Sequence, residues 1–279
     1  DERSEIISDI QLQVNVRTVE FSTDGAICLL GLSNGQVGVV DVDGAELQFK
    51  EVSSSSVESI VTFPTGGYAI GLANGDIQIF NDEHLLVKEW RTDYGMVIAL
   101  DYEPEKYQLG IGFVNGTVQV MHLGESKLPT LLGSHNGAAH AVAFVGGGTL
   151  VSGGADNMIR EWNVEHEVLV SEHEAHHGDV MDIVAKDDLF LSAGANGEIN
   201  VWRDSPVGLI GALRGHDEMI WSIAALQKEY VSIARDGAIR WWSAQAPEHK
   251  NLYTVGGMPT SDIAFVWNNV LAITSEYKK

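Results

Sequence analysis

The chain has 279 residues and a formal net charge of −22, from 39 acidic and 17 basic side chains. An acidic surface repels phosphate backbones and anionic membranes and attracts basic proteins, so we expect no direct nucleic-acid binding and no membrane insertion. The lone cysteine, Cys28, the lack of an apolar run long enough to span a bilayer and an N-terminus unlike a signal peptide together favour the cytoplasm or the nucleus.

In chain order, the first predicted strand is "EIISDI" at 5–10. After it, Asn-Gly and Asp-Gly type turns recur with their middle residues at 34, 74, 115, 156, 196 and 236, a period of 40 or 41 residues. Each turn follows a short apolar strand and precedes an alternating strand, as in "TLVSGG" and "MIREWN" around residue 156. This pattern predicts a hairpin at each turn, because its central residues must accept positive φ.

A further strand precedes each hairpin and another follows it. Blade four, for example, is predicted at 138–144, 149–153, 158–163 and 166–172. Four short strands in each repeat of about 40 residues are typical of β-propeller blades, so we expect an all-β, seven-bladed propeller forming one domain over 1–279.

The seventh repeat is incomplete in the sequence, with two strands near 260–266 and 270–276. The strand at 5–10 is expected to close this last blade in part. One strand is left unassigned, and three sources for it stay open: a longer chain, an inward shift of the N-terminal strand, or donation by a partner.

Residues 215–243 combine His216, Ser222 and Asp236, the residue types of a hydrolase triad. The arrangement recurs around His176 and His135 with Asp182 and Ala141 at the position of the serine. A nucleophile could not survive these replacements, so the pattern favours a structural role.

These residues, with "GH" at 215–216, "DG" at 236–237 and the tryptophans that follow each turn, resemble the WD-repeat β-propeller family. The resemblance covers the whole chain and is strongest in blades four to six. It implies a platform for protein partners without catalysis, and one buried structural tetrad in each of these blades. The tetrad residues would be His216, Ser222, Asp236 and Trp242; His176, Asp182, Asn196 and Trp202; and His135, Asp156 and Trp162, with Ala141 at the second position.

Blades one to three depart from this pattern. Asn34, Asn74 and Asn115 stand at their turns, and Val40, Phe80 and Met121 stand where the tryptophan would be. We expect these blades to be held by apolar packing.

The resemblance also implies a partner-binding top face around the central channel. Its predicted residues are Trp221, Met219, Arg235, Met181, Asp179, His140, Arg17, Glu58, Met96 and Ile98. Trp and Arg are enriched in interface hot spots and Met packs adaptably. The alternation of the strand leaves open whether Trp221 instead packs inside its blade.

The histidine-rich stretch "SEHEAHHGD" suggests a metal site, but His176 belongs to the predicted tetrad and no second ligand cluster accompanies it. We therefore expect neither a metal nor a cofactor. The sequence favours a non-enzymatic scaffold that binds peptide or protein segments as a subunit of a larger assembly. Alternatives are a coat- or pore-type subunit that accepts a partner strand, a ubiquitin-binding propeller, and a propeller enzyme.

Overall fold

The computed structural model describes residues 12–42, 46–124, 128–204, 206–225 and 229–243, and the backbone of strands at 246–254, 260–265 and 271–275. Within these ranges every regular element is a β-strand, and no helix has the length and apolar character needed to cross a membrane.

Six antiparallel sheets of four strands follow one another along the chain, each in the order of its sequence. The first three sheets contain β1 Val16–Phe21, β2 Ile27–Leu32, β3 Gln36–Asp41 and β4 Leu47–Glu51; β5 Val57–Thr62, β6 Tyr68–Leu72, β7 Ile77–Phe80 and β8 Leu86–Trp90; and β9 Val97–Glu103, β10 Gln108–Phe113, β11 Thr117–His122 and β12 Thr130–Ser134. The next three contain β13 Ala139–Phe144, β14 Thr149–Gly154, β15 Met158–Asn163 and β16 Val168–Glu174; β17 Val180–Lys186, β18 Leu189–Gly194, β19 Glu198–Asp204 and β20 Val207–Arg214; and β21 Ile220–Ala225, β22 Tyr230–Ala234, β23 Ala238–Ser243 and β24 Ala246–Thr254.

The recurring turns connect the second and third strands of each sheet. Gly116 has φ of +93°, and a Cβ atom there would lie only 2.4 Å from the carbonyl oxygens of His135 and Gly137. Glycine is required at this turn because it combines positive φ with this close approach of the backbone. In blade four Asn157 takes the equivalent conformation, with φ of +67°.

The first strands of successive sheets lie side by side and surround a central channel. Apolar side chains fill the space between neighbouring sheets. Val61 and Ile77 of the second sheet, for example, share a cluster with Leu109 and Met121 of the third. The hydrophobic core is therefore divided among the blade interfaces, and each blade is stabilised by its neighbours.

The all-β propeller is confirmed, but the described residues form six complete blades rather than the predicted seven. After the sixth blade, the described residues add a two-stranded sheet of β25 Thr260–Phe265 and β26 Leu271–Ser275. The 40-residue period shows where each repeat begins. It does not show whether the last repeat contains all four strands. Strand β25 contacts β21 on one side and β1 on the other, so the hairpin lies between blades six and one. The predicted closing strand at 5–10 lies outside the described residues.

Candidate functional site

Blade six contains a chain of buried hydrogen bonds that begins at its turn. His216 Nδ1 donates to Asp236 Oδ2 at 3.0 Å, and Ser232 Oγ lies 2.7 Å from His216 Nε2. The indole Nε1 of Trp242 donates to the same Ser232 oxygen at 2.7 Å. Since the carboxylate only accepts, the bonds run in one direction: Trp242 to Ser232 to His216 to Asp236.

Blade four repeats the arrangement with nearly equal distances. His135 Nδ1 donates to Asp156 Oδ1 at 2.8 Å, and Ser152 Oγ lies 2.8 Å from His135 Nε2. Trp162 Nε1 donates to Ser152 Oγ, also at 2.8 Å. The loop before the blade, its second strand and its third strand are thereby joined.

Blade five has the same chain with an amide at its end. His176 Nδ1 lies 3.2 Å from Asn196 Oδ1 and its Nε2 lies 2.7 Å from Ser192 Oγ. Trp202 Nε1 donates to Ser192 Oγ at 2.9 Å. The neutral amide oxygen is a weaker acceptor than a carboxylate, in keeping with the longer bond.

The hydroxyl of each network lies on the second strand, so the prediction that Ser222 and Asp182 occupy the tetrad position is wrong. Both are on first strands, where they bond to each other: Ser222 Oγ donates to Asp182 Oδ2 at 2.8 Å, and the backbone N–H of Ile223 donates to the same oxygen. Ala141, in blade four, has the same first-strand position. These positions face the neighbouring blade rather than the histidine loop.

The same geometry explains why a Ser-His-Asp set here does not make a reactive centre. Ser232 is fully buried and its oxygen already accepts the Trp242 indole N–H. Burial lowers the pKa of His216 to about 4, although its bond to Asp236 opposes this shift. Neutral His216 is therefore the species present at neutral pH, and it serves as one link in a hydrogen-bonded chain.

Two arginines that were not predicted from the sequence extend the networks. Arg240 donates to Asp236 at 2.7 Å and Arg160 donates to Asp156 at 2.6 Å, each from four residues after the acid. Burial alone would raise the pKa of Asp156, but bonds from Asn136 N–H, His135 and Arg160 outweigh it and lower the pKa. The signal was present in "MIREWN" and "AIRWWS", where arginine occupies the same strand position.

Two partly buried carboxyl groups connect neighbouring blades near the channel. Asp182, on blade five, accepts from Ser222 and Ile223 of blade six, and Asp101, on blade three, accepts from the N–H of Phe144 on blade four at 2.6 Å. Burial raises the pKa of each to about 6. Their role is to fix one blade against the next.

The predicted top-face residues of the first strands all lie at β-bulges. In each of the six blades the pairing of the first and second strands skips one residue, which forms a β-bulge. The bulged residues are Arg17, Glu58, Ile98, His140, Met181 and Trp221. A bulge re-aims a side chain, and all six line the central channel, which has a cavity volume of 500 Å³.

The residue two positions before each bulge forms a backbone hydrogen bond with the turn of its own blade. The carbonyl of Met219 accepts from Arg235 N–H at 2.8 Å, and the carbonyl of Met96 accepts from Val114 N–H at 2.9 Å. Asp179 bonds to Ala195 in the same way. The bulge, the preceding loop and the turn thus form one repeated unit at this end of every complete blade.

Charge at this end is arranged in pairs. Both Nε and Nη2 of Arg17 donate to one carboxylate oxygen of Glu58 at 3.0 Å. His140 lies 3.6 Å from Asp179, and Arg235 lies 3.6 Å from Glu218. Among the described residues, therefore, the predicted cations of the top face sit next to acids of the same face.

The sequence left open whether Trp221 faces the channel or packs inside its blade, and the structure decides between the two. Its side chain lines the channel and is half-buried, while its indole Nε1 is buried and has no hydrogen-bond partner among the described residues. A buried indole N–H normally has an acceptor. Trp221 therefore lies at the channel wall and offers an unused donor.

The histidines of residues 172–179 have separate partners. His176 belongs to the blade-five network, whereas His173 Nε2 lies 3.0 Å from Ser171 Oγ and His177 is exposed. Within the described ranges, no group of three or more His, Cys, Asp or Glu side chains is placed to hold a metal ion.

A ring of four-stranded antiparallel sheets with their first strands around a channel defines the chain as a β-propeller. The family model of the WD domain, G-beta repeat, matches residues 126–163, which contain most of blade four. A chain from the crystal structure of a mitotic checkpoint complex superposes with a TM-score of 0.84 over 98% of this chain and 93% of that one, at 15% identity, which shows the fold. The resemblance to the WD-repeat propellers is thus confirmed.

Relatives by sequence are distant. Telomerase protein component 1 of Mus musculus is 25% identical over 135 residues, which cover 46% of this chain and 5% of that protein. Kinesin-like protein KIF21A of Homo sapiens is 23% identical over 239 residues, covering 80% and 14%. SIR4-interacting protein SIF2 of Saccharomyces cerevisiae is 22% identical over 209 residues, covering 68% and 39%. The chain spans only a small part of the first two.

Proposed function

We propose that the chain is a non-enzymatic scaffold, one propeller domain over 1–279, that binds protein or peptide segments at its top face as a subunit of a larger assembly. The WD-repeat propeller fold is itself typical of protein-interaction scaffolds. The partners are proteins, with basic ones favoured by the net charge of −22, and the place of action is the cytoplasm or the nucleus.

The observation that carries the proposal is the set of bulges around the channel mouth. Each complete blade presents one bulged side chain there, including Met181, Ile98 and Trp221. These side chains are held by paired backbone and are partly accessible, which is the state of a preorganised binding surface. A structural role alone does not explain the buried, unused donor of Trp221.

The test is photo-crosslinking in cells from two positions. A photoreactive amino acid replaces Met219 at the channel mouth or Tyr107 in the turn at the opposite face. We expect protein crosslinks from position 219 that disappear when Trp221→Ala and Arg235→Glu are added, and none of these from position 107. Crosslinks that persist in the double variant, or that form equally from position 107, would place binding elsewhere.

A second function has one specific observation in its favour, the two-stranded sheet β25–β26. It lies between blades of four strands, and no described strand pairs with the outer side of β26. Sheet edges in stable proteins are normally covered, so a subunit that accepts a partner strand there is the alternative proposal. It predicts an isolated chain that aggregates and becomes soluble with the partner; a well-behaved isolated monomer would contradict it.

A further inference from the structure

The top face of blade three differs from that of the other blades. Its loop residue Met96, its bulged residue Ile98 and its turn residue Val114 are all apolar, whereas blade six has Arg235 and blade five has Asp179 among the equivalent positions. Val114 was not predicted from the sequence as a top-face residue, although it precedes its turn as Arg235 does. Blade three therefore presents a continuous apolar end.

Tyr94 extends this apolar surface, and its ring is held by packing against Phe113. Its ring lies 5.3 Å from that of the fully buried Phe113, yet 36% of Tyr94 is exposed. Val114 beside it is 45% exposed. Gly95, with φ of +81°, brings the loop onto the turn so closely that a Cβ there would lie 3.2 Å from Val114 Cγ1. We call Tyr94, Met96, Ile98 and Val114 the blade-three patch.

Acidic side chains are exposed at the same end of the molecule as the blade-three patch. Asp93 is exposed in the loop that carries Tyr94, Asp217 is exposed in the equivalent loop of blade six, and Glu174 is exposed at the end of β16 in blade four. Arginines of this end are already paired, Arg91 with Glu89, Arg214 with Glu198 and Arg235 with Glu218. With a net charge of −22 over the chain, the field at the patch attracts cations.

We propose that the blade-three patch binds a short peptide segment in which a large apolar side chain is flanked by lysine or arginine. The apolar side chain packs against Tyr94 and Val114, while the basic residues lie toward Asp93 and the acidic loops. An aromatic residue that is rigid and half-exposed supplies contact area at low entropic cost. This inference rests on the proposed function, since it names the chemistry of the partner at the same face.

The test is selection of a displayed library of short random peptides on the purified chain. We expect enriched sequences that combine Phe, Trp, Leu or Met with Lys or Arg. Tyr94→Ala together with Val114→Ser should weaken binding of the selected peptides by about tenfold or more, as for an interface hot spot. Tyr107→Ala together with Val87→Ser, which removes comparable exposed side chains outside the top face, is the matched control and should leave binding unchanged.

The charge component has its own variant. Asp93→Asn together with Asp217→Asn should weaken binding at low salt and reduce its dependence on ionic strength. Acidic or uncharged peptides as the enriched class, no enrichment, or equal binding by the Tyr94 and Val114 variant would each overturn the inference. Crosslinking from position 219 would still test the proposed function, so the two can fail separately.

Discussion

Blades four to six and blades one to three have the same backbone but different interiors. Where blades four to six place a serine four residues before the turn residue and a tryptophan six after it, blades one to three have apolar residues at both positions. The equivalents of the serines are Leu30, Ile70 and Ile111, and those of the tryptophans are Val40, Phe80 and Met121, all buried. One blade geometry can therefore be held either by a polar network or by apolar packing.

The polar residues are replaced together because none of them is stable alone. A buried hydroxyl without its partners costs about 1–3 kcal/mol. In blade two the positions of the serine and the tryptophan hold the buried apolar side chains of Ile70 and Phe80 instead. Each blade therefore has a complete set of one kind.

Substitution of the turn residue is expected to give the largest difference in stability loss between blades four to six and blades one to three. Asp236→Ala removes the acceptor of His216 and the partner of the buried Arg240, and we expect the free energy of unfolding to fall by about 3–5 kcal/mol. Asn74→Ala, at the exposed turn of blade two, removes local bonds to Asp76 only and should cost less than about 1 kcal/mol. Urea unfolding of both variants measures this; equal losses would contradict the account.

The next effect separates the two serines of blade six. Ser232→Ala leaves His216 and Trp242 without their shared partner, and should lower stability by about 1–3 kcal/mol. Ser222→Ala should have a smaller effect, since Asp182 keeps the N–H of Ile223. Thermal unfolding of the two variants side by side checks this order, and a larger loss from Ser222→Ala would reverse the assignment.

These two serines also show how far the sequence could predict the site. The period of the turns predicted the strands of blade four to within two residues, and the histidine, turn and tryptophan positions lie together in the structure. The serine was misplaced because the bulge at Trp221 interrupts the alternation of the first strand, so the face that Ser222 takes does not follow from a period of two. The recurrence of Ser152, Ser192 and Ser232 at one spacing was the signal available.

Other features had a weaker signal in the sequence. The predicted number of blades was wrong because a repeat period does not show how many strands the final repeat contains. The blade-three patch was missed in part because Tyr94 lies in a loop outside the repeated positions. Its exposure depends on contact with Phe113, which only the folded chain shows.

The polar networks should make stability depend on pH. The pKa of His216 is lowered from 6.5 to about 4 in the folded state, so its contribution is present above pH 6.5 and is lost as pH falls toward 4. We expect His216→Gln to reduce this acid-side loss, by on the order of 1 kcal/mol at pH 5. Unfolding at a series of pH values in both proteins measures it; identical slopes would contradict the assignment.

The contribution of the carboxyl groups between blades depends on pH in the opposite direction. The pKa of Asp182 is raised from 3.8 to about 6, so its contribution is present below pH 3.8 and is lost as pH rises through 6. The stability difference between the natural chain and Asp182→Asn should therefore change in favour of the variant as pH rises from 4 to 7. A difference that does not vary over this range would show that the pKa of Asp182 is not raised in the folded chain.

The smallest effect on stability is expected at the channel mouth. Trp221→Ala together with Arg235→Glu changes partly accessible residues outside the networks, and should alter the free energy of unfolding by less than about 1 kcal/mol. A melting temperature lowered as much as by Asp236→Ala would show that Trp221 is a packing residue.

The most direct test of the two kinds of blade is hydrogen exchange of the indole N–H groups of Trp162, Trp202 and Trp242, followed by NMR. In the natural chain all three should be strongly protected, because each donates to a fully buried serine. Ser232→Ala should accelerate exchange at Trp242 alone and leave Trp162 and Trp202 unchanged. Rapid exchange at all three in the natural chain, or acceleration at Trp242 by Ser222→Ala instead, would contradict the assignment of the networks.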